Sequence, residues 1–243
     1  MKANDREALA PFARKLGRLG TLTPADEALL AALPITVREA AAGQYLVREG
    51  APTTECCILV SGYACRHKVA ANGGRQIVSF HLPGDILDLQ HLLLPIADHN
   101  VQTLTESLVA WIPKPALKRV ADESAAIADA LWRDSLIDAS IFREWVLNVG
   151  RRDARSRTAH MLCEFAARRE AAGLGSPEEF ELPMTQEQIA DATGLTAVHV
   201  NRMLRALEIE GAITRERRRI RIVDWDRMRW IADFDPVYLH AAA

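Results

Sequence analysis

The sequence has few cysteines for its length, and none of them follows a metal-binding spacing. The 243 residues include four, Cys56, Cys57, Cys65 and Cys163, and no C-x-x-C pair that would indicate a zinc ribbon. A chain this long does not depend on a disulfide framework. We therefore expect reduced thiols.

Long apolar runs are also absent. Segments such as "ILDLQHLLLPIA" fall short of the roughly 20 residues that cross a bilayer. The amino terminus, "MKANDREALAPFARK", is polar and carries acids, so it does not resemble a secretory signal. With 49% hydrophobic and 26% charged residues the composition is that of a globular protein, and we expect a cytoplasmic one without membrane contact.

The net charge of -2 gives no overall sign of a nucleic-acid partner, but one segment is strongly basic. Residues 194–221 hold seven arginines against three glutamates. A local surplus of this kind can bind phosphates while the rest of the chain stays acidic.

Two different textures fill the first half of the chain. Residues 5–33 predict short helices, one of them capped by Thr23 with Pro24 at its first position. Residues 35–112 are short β-branched or aromatic segments separated by glycine, proline or asparagine, which predicts an all-β sandwich or barrel. Asn72 and Gly73 predict a tight hairpin turn.

A long helix is predicted next, because residues 116–172 contain no proline and only one glycine, Gly150, where we expect a break. One apolar stripe follows the helix and can be buried on the β domain, against a second copy, or on both. The stripe, taken as the dimerisation surface, consists of Ile127, Leu131, Ile137, Ile141, Trp145 and Val149.

The segment "MTQEQIADATGLTAVHVNRMLRALEIEGAI" predicts two helices joined by a turn at Gly194. Thr185 and Thr196 are suited to cap them. The second helix would bury Val200 and Leu204 and present other side chains outward. The following "GAITRERRRIRIV" alternates arginine with isoleucine, as a hairpin wing along a phosphate backbone would, and "GLGSPEEFELP" precedes the module as a linker.

This pattern suits insertion into the major groove, where arginine reads guanine, asparagine reads adenine and a small apolar group touches a thymine methyl. A small helical bundle with a charged surface is the simpler alternative. The predicted DNA-binding residues are Thr185, Gln186, Thr196, Val198, His199, Asn201, Arg202, Arg205, Arg217, Arg218 and Arg219.

The order of "LVSGYACRHKVAANGGRQIVSFHLPGDIL", a long helix and the helix-turn-helix segment resembles the Crp/Fnr superfamily of bacterial transcription regulators, from about residue 20 to residue 223. The resemblance implies an α+β fold: a double-stranded, cupin-like β-roll with N-terminal helices (residues 1–115), a long dimerisation helix (116–150) and a winged helix-turn-helix domain (151–243). It also implies a homodimer, an effector pocket, a palindromic promoter site in double-stranded DNA and contact with RNA polymerase.

Carried over by position, Arg202 matches the family's base-reading arginine. Val198 stands where many members have a glutamate that contacts cytosine. Valine cannot accept that hydrogen bond, so we expect a different consensus, with His199 or Asn201 contributing.

Members of the family that bind cyclic nucleotides hold the phosphate with an arginine in the segment after "PGD". This chain has no lysine or arginine between Arg75 and Lys114, so we expect neither cyclic AMP nor cyclic GMP. Oxygen-sensing members carry cysteines near the amino terminus for an iron–sulfur cluster; this chain has none there, so we expect no cluster.

The resemblance implies an effector pocket, which we assign to Gly84, Asp85, His91 and His99. Together with His81, these histidines also invite a haem or metal site, but no partner at a diagnostic spacing accompanies them, so we predict no metal. No catalytic constellation is evident, and we predict that the protein is not an enzyme.

Three questions stay open at this level. If Ser61 and Gly62 form a two-residue hairpin turn, Cys65 pairs with Ile58 and lies diagonal to Cys56, where a disulfide could form; small thiols filling a core are the alternative. The regulator could be controlled by its abundance and need no ligand. A small-molecule-binding β-barrel with an incidental helical tail is the competing class.

Overall fold

The computed structural model describes residues 3–240. Packing divides the chain into two compact units, the first containing residues up to 67 together with 80–138, the second containing 68–79 together with the residues from 139 onwards. The predicted domain boundaries after residues 115 and 150 stay predictions. None of the helices in the described part combines the length and the apolar character that crossing a bilayer requires.

Two antiparallel sheets form the β-roll that was expected. One sheet has the strand order β1-β7-β3 and the other β2-β6-β4-β5. The strands are β1 (Thr36–Ala40), β2 (Tyr45–Val47), β3 (Glu55–Ser61), β4 (Ala64–Val69), β5 (Arg75–His81), β6 (Asn100–Thr103) and β7 (Ser107–Pro113). The predicted turn joins β4 to β5, with Gly73 at φ 84° and its N–H bonded to Ala70 O at 2.9 Å.

Strand β3 reads as an uninterrupted apolar run because both of its faces are buried. Cys57 and Leu59 point into the roll, where they meet residues of the other sheet such as Val101. Cys56 and Ile58 point the opposite way, into a core shared with helices. The alternation follows from the two-residue period of a strand.

The helical side of that core comes from α1 (Ala3–Leu19), α2 (Pro24–Ala31) and α3 (Lys114–Glu123). Thr23 caps α2 as predicted: its hydroxyl accepts from Asp26 N at 3.3 Å, and the Asp26 carboxylate accepts from Thr23 N at 2.8 Å. The largest fully buried side chain of α1 is Phe12. These helices cover the outer face of the β1-β7-β3 sheet.

The helix predicted to run unbroken from residue 116 is two helices. Helix α3 ends at Glu123, Ser124 is extended (φ -127°, ψ 111°), and α4 spans Ala125–Arg151. The Ser124 hydroxyl donates to Asp26 and accepts from Ile127 N at 3.1 Å, so it caps α4. Gly150 lies inside α4, and the break comes instead at Asp153, whose carboxylate caps the next helix.

The second unit continues with α5 (Ala154–Ala171), α6 (Gln186–Thr193), α7 (Ala197–Ile209) and α8 (Trp225–Ala232). A small sheet of order β8-β10-β9 completes it, formed by β8 (Glu179–Glu181), β9 (Ile213–Glu216) and β10 (Arg219–Ile222). The segment predicted as a linker therefore supplies one strand. Phe180 of that strand is buried and lies opposite Ile220, which explains why it is held.

The pairing of Cys65 with Ile58, which would follow if Ser61 and Gly62 formed a two-residue hairpin turn, is not found. Ile58 lies opposite Ala110 of β7, and Cys65 lies opposite Gln102 of β6, because the chain passes from one sheet to the other at Gly62. Gly62 has φ 86°, and a Cβ there would overlap the Ser107 side chain, so only glycine fits the crossing. All four cysteines are buried, and none of them forms a disulfide in the described structure.

Candidate nucleic-acid interface

Local capping builds the two helices of the predicted recognition module. The Thr185 hydroxyl accepts from Gln188 N at 3.2 Å, and the Gln188 side chain accepts from Thr185 N at 2.8 Å, a reciprocal capping box. Gly194 then takes the left-handed conformation (φ 65°) that ends α6. Thr196 caps α7 by accepting from His199 N at 3.2 Å. Thr185 and Thr196 therefore cap the two helices as predicted. Their predicted contacts with DNA stay predictions.

Helix α7 has one buried and one exposed side. Val200, Leu204 and Leu207 are buried, as the sequence predicted. On the opposite side Val198 is 74% exposed, and Asn201, Arg202, Arg205 are exposed as well. The helical period places Val198, Arg202 and Arg205 in one outward row. His199 is half-buried at the edge of that row.

The exposed arginines of α7 are not held by their own chain. Among the described residues, neither Arg202 nor Arg205 has a side-chain hydrogen bond or ion pair. Asn201 differs, since its Oδ1 accepts from Arg215 at 3.3 Å, and Arg215 also pairs with Glu208 at 3.4 Å. The amide is therefore oriented before any partner arrives.

The wing between β9 and β10 divides its arginines by role. Glu216 of β9 lies opposite Arg219 of β10 in the sheet, so Arg217 and Arg218 form a two-residue turn. Arg217 has φ 55° and is exposed at the tip. Arg218 donates to the carbonyl oxygens of Leu182 (3.0 Å) and Pro183 (2.6 Å), which fixes the wing to the segment before α6.

Arg219, the third predicted wing arginine, pairs with Glu179 at 3.2 Å on the exposed face of the small sheet. Its charge is partly balanced within the chain. Of these three arginines, Arg217 is the one in the described structure that carries no such contact. Gln186, in the first turn of α6, is exposed.

Sequence reasoning missed two arginines of α5 that position the module. Arg157 donates to the carbonyl of Thr193 at the end of α6 (2.7 Å), and Arg155 pairs with Glu210 at the end of α7 (2.8 Å). From the sequence we predict only a break at Gly150 in this region. Asp153, accepting from Ser156 N at 2.9 Å, is the signal that a new helix begins there.

In the β-roll, the four predicted effector residues lie in two separate groups. Asp85 binds Lys15 of α1 at 2.7 Å, and a Cβ on Gly84 would lie 2.8 Å from Pro11 O, so this turn is packed against α1. Burial alone would lower the pKa of Lys15, but the Asp134 and Asp85 carboxylates raise it above its ordinary value.

The second group is formed by His91 and His99, whose rings stack with centroids 5.5 Å apart. Both are buried. His91 lies in a short 3-10 turn (Leu89–Leu92), and His99 directly precedes β6.

A half-buried cation does reach this part of the roll, from a strand that lies outside the segment between Arg75 and Lys114. Arg66 of β4 donates to Asp138 (2.6 Å) and to the carbonyl of Leu87 (2.9 Å). Its guanidinium is thus already paired with a carboxylate. The expectation that no cyclic nucleotide is bound stays a prediction.

A β-roll joined by a long helix to a winged helix-turn-helix with an outward arginine row defines a DNA-binding regulator. Comparison with known families agrees: residues 37–124 match the cyclic nucleotide-binding domain, and residues 156–231 match the Crp-like helix-turn-helix domain. Together the two matches cover more than half of the chain. The chain belongs to the Crp/Fnr family of transcription regulators.

Similar proteins support that placement. The transcriptional activator protein FnrL of Cereibacter sphaeroides is 28% identical over 191 residues, which are 77% of this chain and 76% of FnrL. The nitrogen fixation regulation protein FixK of Azorhizobium caulinodans is 29% identical over 157 residues, 65% of this chain and 62% of FixK. The solved structure of FixK2 from Bradyrhizobium japonicum superposes with a TM-score of 0.75 and 26% identity, covering 82% of this chain and 98% of FixK2.

Proposed function

We propose that the protein acts as a homodimer that binds a pseudo-palindromic promoter site and regulates transcription there. The outward row on α7 carries this proposal, because unpaired arginines and a largely exposed valine stand on a helix whose other side is buried. Two such helices, one from each subunit, would enter successive major grooves about 34 Å apart.

The residues of the outward row, together with Asn201 and the wing residue Arg217, have two kinds of expected role, base reading and phosphate binding. Arg202 donates two hydrogen bonds to guanine, and Val198 contacts a thymine methyl in place of a glutamate that would accept from cytosine. Asn201, held by Arg215, is suited to adenine. Arg205 and Arg217 contact phosphates, which add affinity without sequence preference.

The proposed dimer surface differs from the one predicted from the sequence. Four residues of the predicted stripe, Ile127, Leu131, Ile141 and Trp145, are buried within the chain, and Ile137 and Val149 are half-buried. Trp145, for example, donates its indole N–H to Glu164 at 3.0 Å. Because these four side chains face the chain's own core, we propose a different partner face.

A second apolar stripe of α4 faces outward instead. Its side chains are between 43% and 63% exposed: Trp132, Leu136, Phe142, Val146 and Leu147. The 100° step of a helix places most of them within one sector. Apolar surface of this extent on a regulator is best explained by a second copy of α4 in an antiparallel or parallel pair.

The β-roll is proposed to sense a signal other than a cyclic nucleotide, and regulation by abundance alone is the alternative. Helix α1 packs against Gly84 and Asp85 and covers the turn that precedes the expected phosphate-binding segment. This packing supports both a signal other than a cyclic nucleotide and regulation by abundance alone. The protein is further proposed to contact RNA polymerase, to act in the cytoplasm and to have no enzymatic activity.

DNA binding by wild type, Arg202→Ala and Arg119→Ala, measured by gel shift on genomic fragments, tests the function. Arg119 is exposed on α3 and has no partner in the described structure, so it is a charge-matched control. Arg202→Ala should weaken the binding of specific fragments by about 1–3 kcal/mol, and Arg119→Ala should leave it unchanged. Equal losses from both variants would contradict the proposal.

A further inference from the structure

The loop before β6 brings together three side chains of the kind that bind transition metals. One potential ligand atom from each of His91, Asp98 and His99 lies within 4.8 Å of the other two. Two imidazoles and a carboxylate are a common ligand set for Zn²⁺, with bonds near 2.0–2.2 Å.

His91 gives a second, independent indication. Its side chain is fully buried, and its Nε2 has no hydrogen-bond partner in the described structure. An unsatisfied buried nitrogen is costly unless something binds it. A metal ion would satisfy this atom, whereas no group in the described part of the chain does.

The opposite nitrogen of His91 is oriented by a carboxylate. Asp88 Oδ2 lies 3.4 Å from His91 Nδ1, and Asp88 Oδ1 accepts from Cys57 N at 2.9 Å, which anchors it to β3. A carboxylate on one imidazole nitrogen with the other directed at a metal is a recurrent arrangement, because it fixes the ring and increases its basicity.

His99 is prepared in a similar way. Its Nδ1 lies 2.6 Å from Asp98 Oδ1, and the Gln90 amide lies 3.1 Å from its Nε2. The Asp98 carboxylate and the Gln90 amide therefore hold the imidazole of His99 in place beside His91.

The loop itself is held in place and open to solvent on one side. Backbone hydrogen bonds join Gly50 N to Ala97 O (2.8 Å) and Ala97 N to Ala51 O (3.0 Å). The Asp98 side chain is 77% exposed, so an ion can arrive from water and keep water ligands.

We propose that His91, His99 and Asp98 form a binding site for one divalent transition-metal ion of the Zn²⁺ class. The proposal departs from the sequence-based prediction of no metal, which followed because the two histidines are eight residues apart across an irregular loop and match no helical or hairpin ligand spacing. The proposal does not rest on DNA binding.

The test is calorimetric titration of the tag-free, chelator-washed full chain with Zn²⁺. We expect one ion per chain, and at least tenfold weaker binding in Asp98→Asn and in His99→Gln. Matched controls are Asp122→Asn and His240→Gln, because both residues are exposed and lie outside the cluster. X-ray absorption of the zinc-loaded protein should show two imidazole ligands.

Absence of stoichiometric Zn²⁺ binding, or unchanged affinity in both site variants, would overturn the proposal. Circular dichroism without metal checks the fold; if His99→Gln does not fold, the exposed Asp98→Asn alone decides. Gel shifts on the same samples separate the two proposals, since a chain that binds Zn²⁺ but not DNA keeps the metal site and contradicts the regulator.

Discussion

The β-roll and the winged helix-turn-helix use the same polar residue types in opposite ways. In and beside the roll, Lys15 of α1, Asp85 and Arg66 are held in ion pairs within the chain. On α7, Arg202 and Arg205 stand in solvent without partners in the described structure. A charged side chain here stabilises the fold where it is paired and is available to a binding partner where it is not.

Helix α4 has buried apolar residues on one side and exposed apolar residues on the other. Substitutions on its exposed side should have the largest effect. Leu136→Asp together with Val146→Asp should convert the dimer to monomers in sedimentation experiments, because both side chains are exposed on the proposed partner face. Loss of two-site binding should weaken DNA affinity by about 10²- to 10⁴-fold. The control is Val237→Asp, exposed on another element; a double variant that still sediments as a dimer would refute this surface.

Lys15→Met should be next in size, and it should act on stability rather than on DNA affinity. The change leaves the Asp85 and Asp134 carboxylates, both about one-tenth exposed, without their cation. We expect the free energy of unfolding to fall by about 3 kcal/mol, the lower end of the range for breaking a buried ion pair. The lower end applies because Lys15 is itself partly exposed. Denaturant unfolding measures it.

The pH dependence of that loss has a definite sign. Because the pKa of Lys15 is raised above 10.5 in the folded state, the wild type's advantage over Lys15→Met is complete below pH 10.5 and shrinks at higher pH. Exposed Lys118→Met, which leaves only the surface acid Asp122 unpaired, should cost no more than about 1 kcal/mol. Equal losses from the two lysine variants would remove the distinction between a partly buried and an exposed ion pair.

The wing offers the finest comparison, with effects of about 1 kcal/mol. Arg217→Ala should weaken binding to all DNA sequences and reduce the salt slope by about one, with no change in stability. Arg218→Ala should instead lower stability by about 1 kcal/mol, because it leaves the carbonyls of Leu182 and Pro183 without their donor. Thermal unfolding and salt titrations distinguish them; reversed roles would count against the assignment.

Features that depend on neighbouring residues could be predicted from the sequence. Caps at Thr23, Thr185 and Thr196, the turn at Gly194 and the hairpin at Gly73 all involve hydrogen bonds within a few residues. The buried and exposed sides of α7 follow from a single helical period. These local signals occur along the chain in the order typical of one fold class, so the fold class could be predicted, and the structure confirms it.

Features that depend on distant parts of the chain could not. Whether β3 pairs with β4 or β7 depends on the crossing at Gly62, and which stripe of α4 is buried depends on what packs there. Arg218 looks like any wing arginine until Pro183 is placed beside it. Likewise, His91 and His99 meet only because the loop between them folds back.

The most direct test of the central claim, that the outward row on α7 reads base sequence, is selection of binding sites from random DNA with wild type and Arg202→Ala. The wild type should select a pseudo-palindrome whose half-sites lie about one helical turn apart, and Arg202→Ala should lose preference at one symmetric base position while the others remain. Identical consensus sequences from the two proteins, or a uniform loss at every position, would contradict the claim.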